Sequence, residues 1–259
     1  MNTRHTLIVA LLAALSFGAS AAVHAQNRGF PPQAGQTPKA AAPIDLTGYW
    51  VSVVTEDWRY RMVTPAKGDY QGVPMTPDAA KVADAWDPAA DEAAGNQCKS
   101  YGAAAIMRVP GRIHVAWQDD TALSVDTDAG TQTRLFRFGP EPAKSGEPTW
   151  QGNSVARWDM PGGRGRGGNA GPPKGGSLKV VTTNMRAGYL RKNGVPYSEN
   201  AVLTEYFDLA PQPNGDQLLV VTSVVDDSRY LRQPFIVSTQ FKKQANRFGW
   251  DPTPCSATW

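Results

Sequence analysis

The sequence predicts an all-β fold, an antiparallel barrel of about ten strands with one short helix packed outside it. From residue 104 onward, short segments rich in β-branched and aromatic residues alternate with turn signals such as Asn214-Gly215-Asp216, which is typical of β-sandwiches and barrels. Only one segment carries clear start and stop signals for a helix. Consecutive short links indicate neighbouring antiparallel strands, and closure into a barrel would remove their exposed edges.

The first predicted elements are two strands. Residues 45–54 are aromatic and β-branched, which favours an opening strand. Residues 58–62 alternate large apolar and basic side chains, so Trp58, Tyr60 and Met62 would share one face of a half-buried strand while the arginines share the other.

The predicted helix follows. Thr76 can cap its free N–H groups, a proline comes next at the first helical position, and the helix would stop before Pro88. Ala79, Val82 and Trp86 recur at helical spacing, so we expect the helix to lie against the outside of the sheet with Trp86 as its anchor.

Nine further strands are predicted after the helix, separated by Gly, Pro, Asn and Asp turn residues. They are residues 104–109, 112–118, 122–127, 131–138, 150–159, 178–185, 201–208, 217–225 and 234–242.

The domain organisation indicates export. Residues 1–25 have a short basic start, an apolar run and small residues ending at Ala25, which predicts a cleavable signal peptide and a periplasmic or secreted protein. The apolar run is too short to span a membrane, so no membrane anchor is expected. Residues 26–43, rich in Pro, Gln and Ala, predict a disordered leader, and residues 44–259 a single barrel domain. Within that domain, residues 161–176 predict a disordered Gly/Arg loop.

Charge and cysteine content limit the functional classes. The formal net charge is +3, or +2 without residues 1–25, which does not describe a nucleic-acid binder. Cys98 and Cys255 predict a disulfide in an oxidising compartment, the alternative being two separate buried thiols. The sequence has three histidines, and only His114 follows residue 25, so no metal site is predicted. No motif indicates a cofactor.

Two local motifs resemble functional ones. Gly152-Asn153-Ser154-Val155-Ala156 resembles a nucleophile elbow, but it lacks the final glycine and continues as a strand. Asp126-Thr127-Asp128-Ala129-Gly130 alternates carboxylates as a calcium loop does, but it lacks the other ligands, which favours an end-of-strand turn.

Polar side chains are also predicted on apolar strand faces. Glu205 shares a face with Leu203 and Phe207, Arg134 shares one with Phe136, and His114 alternates with apolar neighbours. If the barrel interior takes these faces, an acid, a base and a cation would converge in an apolar cavity. Alternatively, Glu205 and Arg134 pair with each other or face water.

The loop at residues 186–197 is longer than a hairpin requires. Tyr189 and Tyr197 could close over a ligand at the barrel mouth, or the loop could be a packed Ω-loop with no partner.

Several segments together resemble a large family of exported bacterial proteins of uncharacterised function. In that family the middle segment is similar to G-x-S-x-G-x-W-E-G-D followed by a V-V-x-T-T strand, whereas here Ala156 replaces the second glycine and a Gly/Arg insertion intervenes. The resemblance covers most of the chain after the leader. It implies a lipocalin-like, calycin-type barrel and brings no catalytic residues. The matching segments are residues 45–50, 128–134, 152–158, 180–183, 233–235 and 241–243.

Three functions follow from these patterns. The first is a binding protein for a small apolar or aromatic molecule, lined by Trp58, Tyr60, Phe136, Tyr189 and Phe207 and oriented by Arg134. The second is a cofactor-independent isomerase, hydratase or lyase, in which Glu205 moves a proton, His114 assists and Arg134 holds negative charge. The third is an envelope interaction protein with a packed barrel and a protein partner that the sequence does not identify.

Overall fold

The computed structural model describes residues 35–140, 146–160 and 175–258. The predicted signal peptide, the first part of the predicted leader (26–34) and most of the Gly/Arg loop (161–174) lie outside these ranges. Within them, no helix is both long enough and apolar enough to cross a membrane.

In the described part of the chain, nine strands close into one barrel and two short strands form a separate hairpin. Around the barrel the order is β1, β11, β10, β9, β6, β5, β4, β3, β2 and back to β1. The strands are β1 (Gly48–Val53), β2 (Arg112–Trp117), β3 (Ala122–Thr127), β4 (Gln132–Phe138), β5 (Asn153–Asp159), β6 (Ser177–Thr183), β7 (Gly188–Tyr189), β8 (Pro196–Tyr197), β9 (Val202–Pro211), β10 (Gln217–Asp226) and β11 (Phe235–Gln244).

The closed all-β barrel is confirmed, but the prediction of about ten antiparallel strands is not. β4 and β5 run parallel, with Phe136 beside Ser154, and every other neighbouring pair is antiparallel. Residues 139–152 join β4 to β5, and a link of this length allows β5 to begin at the same end of the barrel as β4 does. The barrel is therefore mixed.

The barrel interior is filled by inward-facing apolar side chains. Alternate residues of each strand point inward, as Leu219 and Val221 of β10 do. Trp50 is fully buried, and its indole N–H donates to the Leu46 carbonyl at 2.9 Å. The buried cluster comprises Leu46, Trp50, Tyr101, Ile106, Met107, Val109, Ile113, Val115, Leu123, Val125, Phe136, Ala156, Leu178, Val180, Phe207, Leu219, Val221 and Phe241.

One end of the barrel is covered by short helices, which together with the β7–β8 hairpin we call the cap. The helices lie between β1 and β2 in the chain: α1 (Trp58–Arg61), α2 (Pro77–Asp84), α3 (Pro88–Ala93), the 3₁₀ helix Gln97–Tyr101 and α4 (Ala103–Ile106). A second apolar cluster joins the cap to the strand ends beneath it. It comprises Ala103, Ala104, Met185, Leu190, Val195, Tyr197, Ala201, Leu203, Val225, Leu231 and Phe235.

Two predicted strands are wrong because their residues are helical. Residues 104–109 overlap α4, where three consecutive alanines follow Gly102, and alanine is the strongest helix former. Residues 58–62 form α1, in which Trp58 is 66% exposed and Arg61 only 1% exposed, the reverse of the predicted alternation. Short apolar runs do not distinguish a strand from a single helical turn.

The predicted helix is confirmed as α2. Its N-cap is Thr76, whose hydroxyl accepts from the Ala79 N–H at 3.2 Å. Ala79 and Trp86 are buried as expected, whereas Val82 is 38% exposed and does not belong to the buried face. The chain then continues into α3 (Pro88–Ala93), a helix that was not predicted from the sequence.

The predicted disulfide between Cys98 and Cys255 is confirmed. The two Cα atoms are 5.1 Å apart, and the bond joins the 3₁₀ helix of the cap to the C-terminal segment, 157 residues away in sequence. The same segment is held by Thr131, whose hydroxyl donates to the Thr253 carbonyl at 2.9 Å. The C-terminal residues therefore strap the cap to the barrel.

At the opposite end, the described part of the predicted leader contacts the barrel. The Trp158 indole donates to the Pro38 carbonyl at 2.8 Å, and the Lys39 N–H donates to the Asp120 carbonyl at 3.2 Å. Beneath these contacts, Trp158 forms an aromatic cluster with Trp117 and Phe138, with ring centroids 5.4–6.4 Å apart. Residues 35–43 thus lie across this end of the barrel.

Candidate functional site

Arg134 and Glu205 form an ion pair inside the barrel. β4 and β9 place them on inward faces, and both side chains have no exposed surface. The guanidinium binds the carboxylate in a bidentate manner, with Nη1–Oε1 at 2.9 Å and Nη2–Oε2 at 2.5 Å. Arg134 and Glu205 therefore face the barrel interior, as the strand alternation predicted, and they pair with each other.

The surroundings of this pair are packed. Thr182 lies 3.4 Å from Arg134 Nη2 and shares a hydrogen bond of 2.8 Å with Ser154. The Arg134 guanidinium lies 4.9 Å from the centroid of Phe136, whose ring is 5.3 Å from that of Phe207. Arg134 and Phe136 have no accessible surface and Phe207 has 2%, so no space for a ligand adjoins them. The predicted lining residues Arg134, Phe136 and Phe207 therefore do contact one another, but they form part of a packed core and not the wall of a cavity.

His114 lies on the outside of the barrel. β2 turns Ile113 and Val115 inward, which leaves His114 facing outward with its side chain 31% exposed. Its ring stacks on Tyr49 at 4.3 Å, and its Nδ1 lies 3.6 Å from an Asp126 carboxylate oxygen. The predicted convergence of His114 with Glu205 and Arg134 is therefore not present, because the barrel interior takes the apolar face of β2, which carries Ile113 and Val115.

The remaining predicted lining residues belong to the cap. Trp58 is exposed on α1, and Tyr60 follows two residues later in the same helix. The Tyr189 hydroxyl donates to Asp91 at 2.8 Å within the β7–β8 hairpin region. Tyr197, in β8 of the hairpin, is fully buried. Residues 186–197 thus pack into the cap, and their tyrosines do not meet Phe136 or Phe207.

The two motifs found in the sequence are structural. Ser154 is buried in β5 and bonds to Thr182, so it is not presented as a nucleophile. Asp128 accepts from the backbone N–H groups of Arg112 and Ala129, both at 2.7 Å, as a turn residue does. No group of three or more possible metal ligands occurs in the described part of the chain.

The cap contains a cluster that the sequence analysis missed, a small cavity surrounded by cations. Its volume is about 20 Å³, room for roughly one water molecule. We call it the arginine pocket, because three of its walls are the buried side chains of Arg61, Arg108 and Arg191, which are 1%, 6% and 4% exposed. Its lining residues are Tyr60, Arg61, Ser100, Ala105, Arg108, Val109, Leu190, Arg191 and Lys192.

Each arginine is held by bonds to its surroundings. Arg61 donates from Nε to the Arg108 carbonyl at 2.9 Å and forms an ion pair with Glu56. Arg108 donates from Nη2 to Asp57 at 3.1 Å. Arg191 donates to the backbone of residue 71 at 2.7 Å. These bonds fix the guanidinium groups before any ligand arrives, which lowers the entropic cost of binding.

Tyr60 completes the wall. Its ring centroid lies 4.0 Å from the guanidinium carbon of Arg191 and 4.8 Å from that of Arg59. Arginine stacks favourably on aromatic faces in this way. The stacking holds Arg191 at the edge of the pocket.

Each of the three arginines also has a buried nitrogen without an acceptor. Among the described residues, nothing accepts from Arg61 Nη2, Arg108 Nη1 or Arg191 Nε. A buried N–H that belongs to a charged group and lacks an acceptor is costly to the fold. Arg112 and Arg134, outside the pocket, also have such a nitrogen, but only Arg61, Arg108 and Arg191 line one cavity, which gives an acceptor room to bind.

The electrostatics of the pocket agree with this geometry. Burial lowers the pKa of Arg61, Arg108 and Arg191 below the ordinary arginine value, and repulsion involving Arg108 lowers the pKa of the other two further. Arginine nevertheless stays protonated in proteins, so the pocket holds three positive charges. Burial also lowers the pKa of Lys192 to about 7. An anion entering the pocket would relieve this repulsion.

The signal for this cluster in the sequence was weak. Arg108 ends an apolar run, and Arg191 and Lys192 are adjacent basic residues in a loop with apolar neighbours. Arg61 and Arg108 are 47 residues apart, and their contact depends on the helical conformation of both segments, which was predicted as strand. Spacing alone therefore could not bring the three arginines together.

No protein-family model, no curated protein and no solved structure matches this chain.

Proposed function

We propose that the chain is an exported binding protein, a member of the lipocalin-like family that it resembles, whose ligand is a small molecule with an anionic group. The ligand site is the arginine pocket in the cap, and the barrel is the scaffold that carries it. The observation that supports this most strongly is that three buried arginines line one cavity, and that each has a buried guanidinium nitrogen without an acceptor among the described residues. The confirmed disulfide agrees with an oxidising compartment.

The chemistry of the pocket favours anion binding over catalysis. Guanidinium groups present several fixed N–H donors, which suits carboxylates and other oxyanions. The enzyme hypothesis required Glu205, Arg134 and His114 in one cavity, and His114 lies on the opposite side of the barrel wall. The proposed function therefore retains the binding hypothesis and moves its site from the interior to the cap.

The test is binding of simple anions, measured by isothermal titration calorimetry. Formate and acetate are expected to bind with one-to-one stoichiometry and to raise the midpoint of thermal unfolding. Arg191→Met should weaken binding by about tenfold or more, because it removes a charged donor. Arg157→Met, on the outer face of β5, is the matched control and should leave binding unchanged. Equal weakening by both variants, or no binding at all, would refute the site.

An envelope interaction protein is the second candidate, favoured by the packed barrel interior. Under that hypothesis, crosslinking in the native compartment should recover a protein partner. Anion binding to the purified chain should then be absent.

A further inference from the structure

The net charge of the arginine pocket restricts the charge of its ligand. Three guanidinium groups face two carboxylates, those of Glu56 and Asp57, which pair with Arg61 and Arg108. One positive charge therefore remains uncompensated. A monoanion would balance it, whereas a dianion would leave an excess negative charge in a region of low dielectric.

Other charged groups near the pocket do not change this balance. Asp69 is paired with Arg59. The Lys192 amine donates to the Tyr101 hydroxyl at 2.6 Å and lies 3.5 Å from the carbonyl of Ser256 in the C-terminal segment. Its hydrogen bonds are therefore made to these two groups. Above pH 7 the Lys192 amine is also mostly neutral, because its pKa is about 7.

The size of the cavity restricts which part of the ligand enters. A volume of about 20 Å³, room for roughly one water molecule, admits only an oxygen atom of the ligand's anionic group. Beside the cations, the wall contains the apolar side chains of Ala105, Val109 and Leu190. A larger ligand must therefore leave most of its atoms outside, on the surface around the pocket.

The segment that supplies Tyr60 and Arg61 to the pocket also carries exposed apolar side chains. Seven large apolar residues are exposed in the described part of the chain, and three of them, Trp58, Met62 and Val63, lie within six residues on or next to α1. The same helix supplies Tyr60 and Arg61 to the pocket. Trp58 and Met62 are four residues apart, so they lie on the same side of this helical turn. Grouped exposed apolar residues mark binding surfaces more often than single ones do.

We infer that the ligand is an amphipathic monocarboxylate, whose carboxylate enters the arginine pocket and whose apolar part lies on Trp58 and Met62. This inference rests on the proposed function and adds the charge and the polarity of the ligand. The arginine pocket binds the carboxylate, and the exposed side chains of Trp58 and Met62 favour ligands with an apolar chain or ring.

Four anions test the two parts separately, by calorimetry at pH 8. Methanesulfonate and sulfate have similar shapes but one and two charges, and methanesulfonate is expected to bind about tenfold more tightly or better. Acetate and octanoate share a carboxylate but differ in apolar length. Octanoate is expected to bind at least about tenfold more tightly, since each buried methylene contributes up to about fourfold.

Variants locate the two parts. Trp58→Ala should lower octanoate affinity by about fivefold or more and acetate affinity by less than about twofold. Phe248→Ala is the matched control, because Phe248 is 80% exposed and far from α1 in the sequence. Arg191→Met should weaken both carboxylates. Arg191→Lys keeps the charge and should restore part of the loss, and it replaces the Met variant if that one does not fold.

The outcomes separate the inference from the proposed function. If sulfate binds as well as methanesulfonate, the charge argument is overturned. If octanoate and acetate bind equally, or if Phe248→Ala has the effect expected of Trp58→Ala, the apolar contact is overturned. In each of these cases anion binding at the pocket still stands. If none of the four anions binds, the proposed function itself fails.

Discussion

Removing one member of the Arg134–Glu205 pair should destabilise the barrel strongly. Glu205→Gln leaves the Arg134 guanidinium with no exposed surface and no counter-charge. Breaking a buried ion pair in this way costs about 3–5 kcal/mol, a large share of a typical stability of about 5–15 kcal/mol. Replacing both residues, as in Arg134→Met with Glu205→Leu, should recover most of that loss, because no charge is then left unpaired in the core.

Urea unfolding followed by tryptophan fluorescence measures these free energies as a double-mutant cycle. The exposed pair of Lys242 and Asp216, whose charged atoms are 2.7 Å apart, is the control, and Asp216→Asn should cost less than about 1 kcal/mol. If Glu205→Gln costs no more than Asp216→Asn, water reaches Glu205. The interior would then be a hollow, as the cavity hypothesis required.

Three further predictions concern the cap. Replacing Cys98 and Cys255 by serine should lower the free energy of unfolding by about 2–5 kcal/mol, measured by urea unfolding without reductant, because the bond closes a long loop. Thr76→Ala should cost about 1 kcal/mol, since the Ala79 N–H loses its acceptor, and Thr76→Ser should restore most of it. The free energy of unfolding of the wild type should rise as the pH is raised from about 7 toward 10, because Lys192 loses its proton at a lower pH in the folded chain than in the unfolded chain. Lys192→Met should flatten that rise.

The sign of the Lys192 effect follows from its lowered pKa. Between pH 7 and the ordinary lysine pKa near 10.4, the unfolded chain binds more protons at this position than the folded chain does. Raising the pH therefore favours the folded state. A stability that is flat or falls through this window in the wild type would contradict the assignment. Cysteine or Thr76 variants as stable as the wild type would likewise show that the disulfide or the helix cap contributes nothing.

The strands were predictable from sequence where alternation and turn residues agreed. β9 to β11 are long, alternate regularly and follow turn signals, and their positions were predicted to within three residues at either end. The same alternation placed Arg134 and Glu205 on inward faces. It gave no information on whether the interior is open, because that depends on how side chains from nine strands fill the space.

The cap was predicted poorly, and the candidate site lies within it. α1 and α4 are single helical turns, too short for a helical period to show in the sequence. The arginine pocket joins Arg61, Arg108 and Arg191, three residues from segments far apart in the chain. Their meeting depends on the packing of irregular segments, which no local pattern describes.

The most direct test of the account is to locate an anion in the arginine pocket. Crystals soaked in sodium bromide should show an anomalous-scattering peak at the guanidinium groups of Arg61, Arg108 and Arg191, because bromide is a compact monoanion and these groups offer it buried N–H donors. The peak should disappear in Arg191→Met crystals. Bromide found only elsewhere on the surface, with the pocket closed or filled by protein atoms, would contradict the central claim.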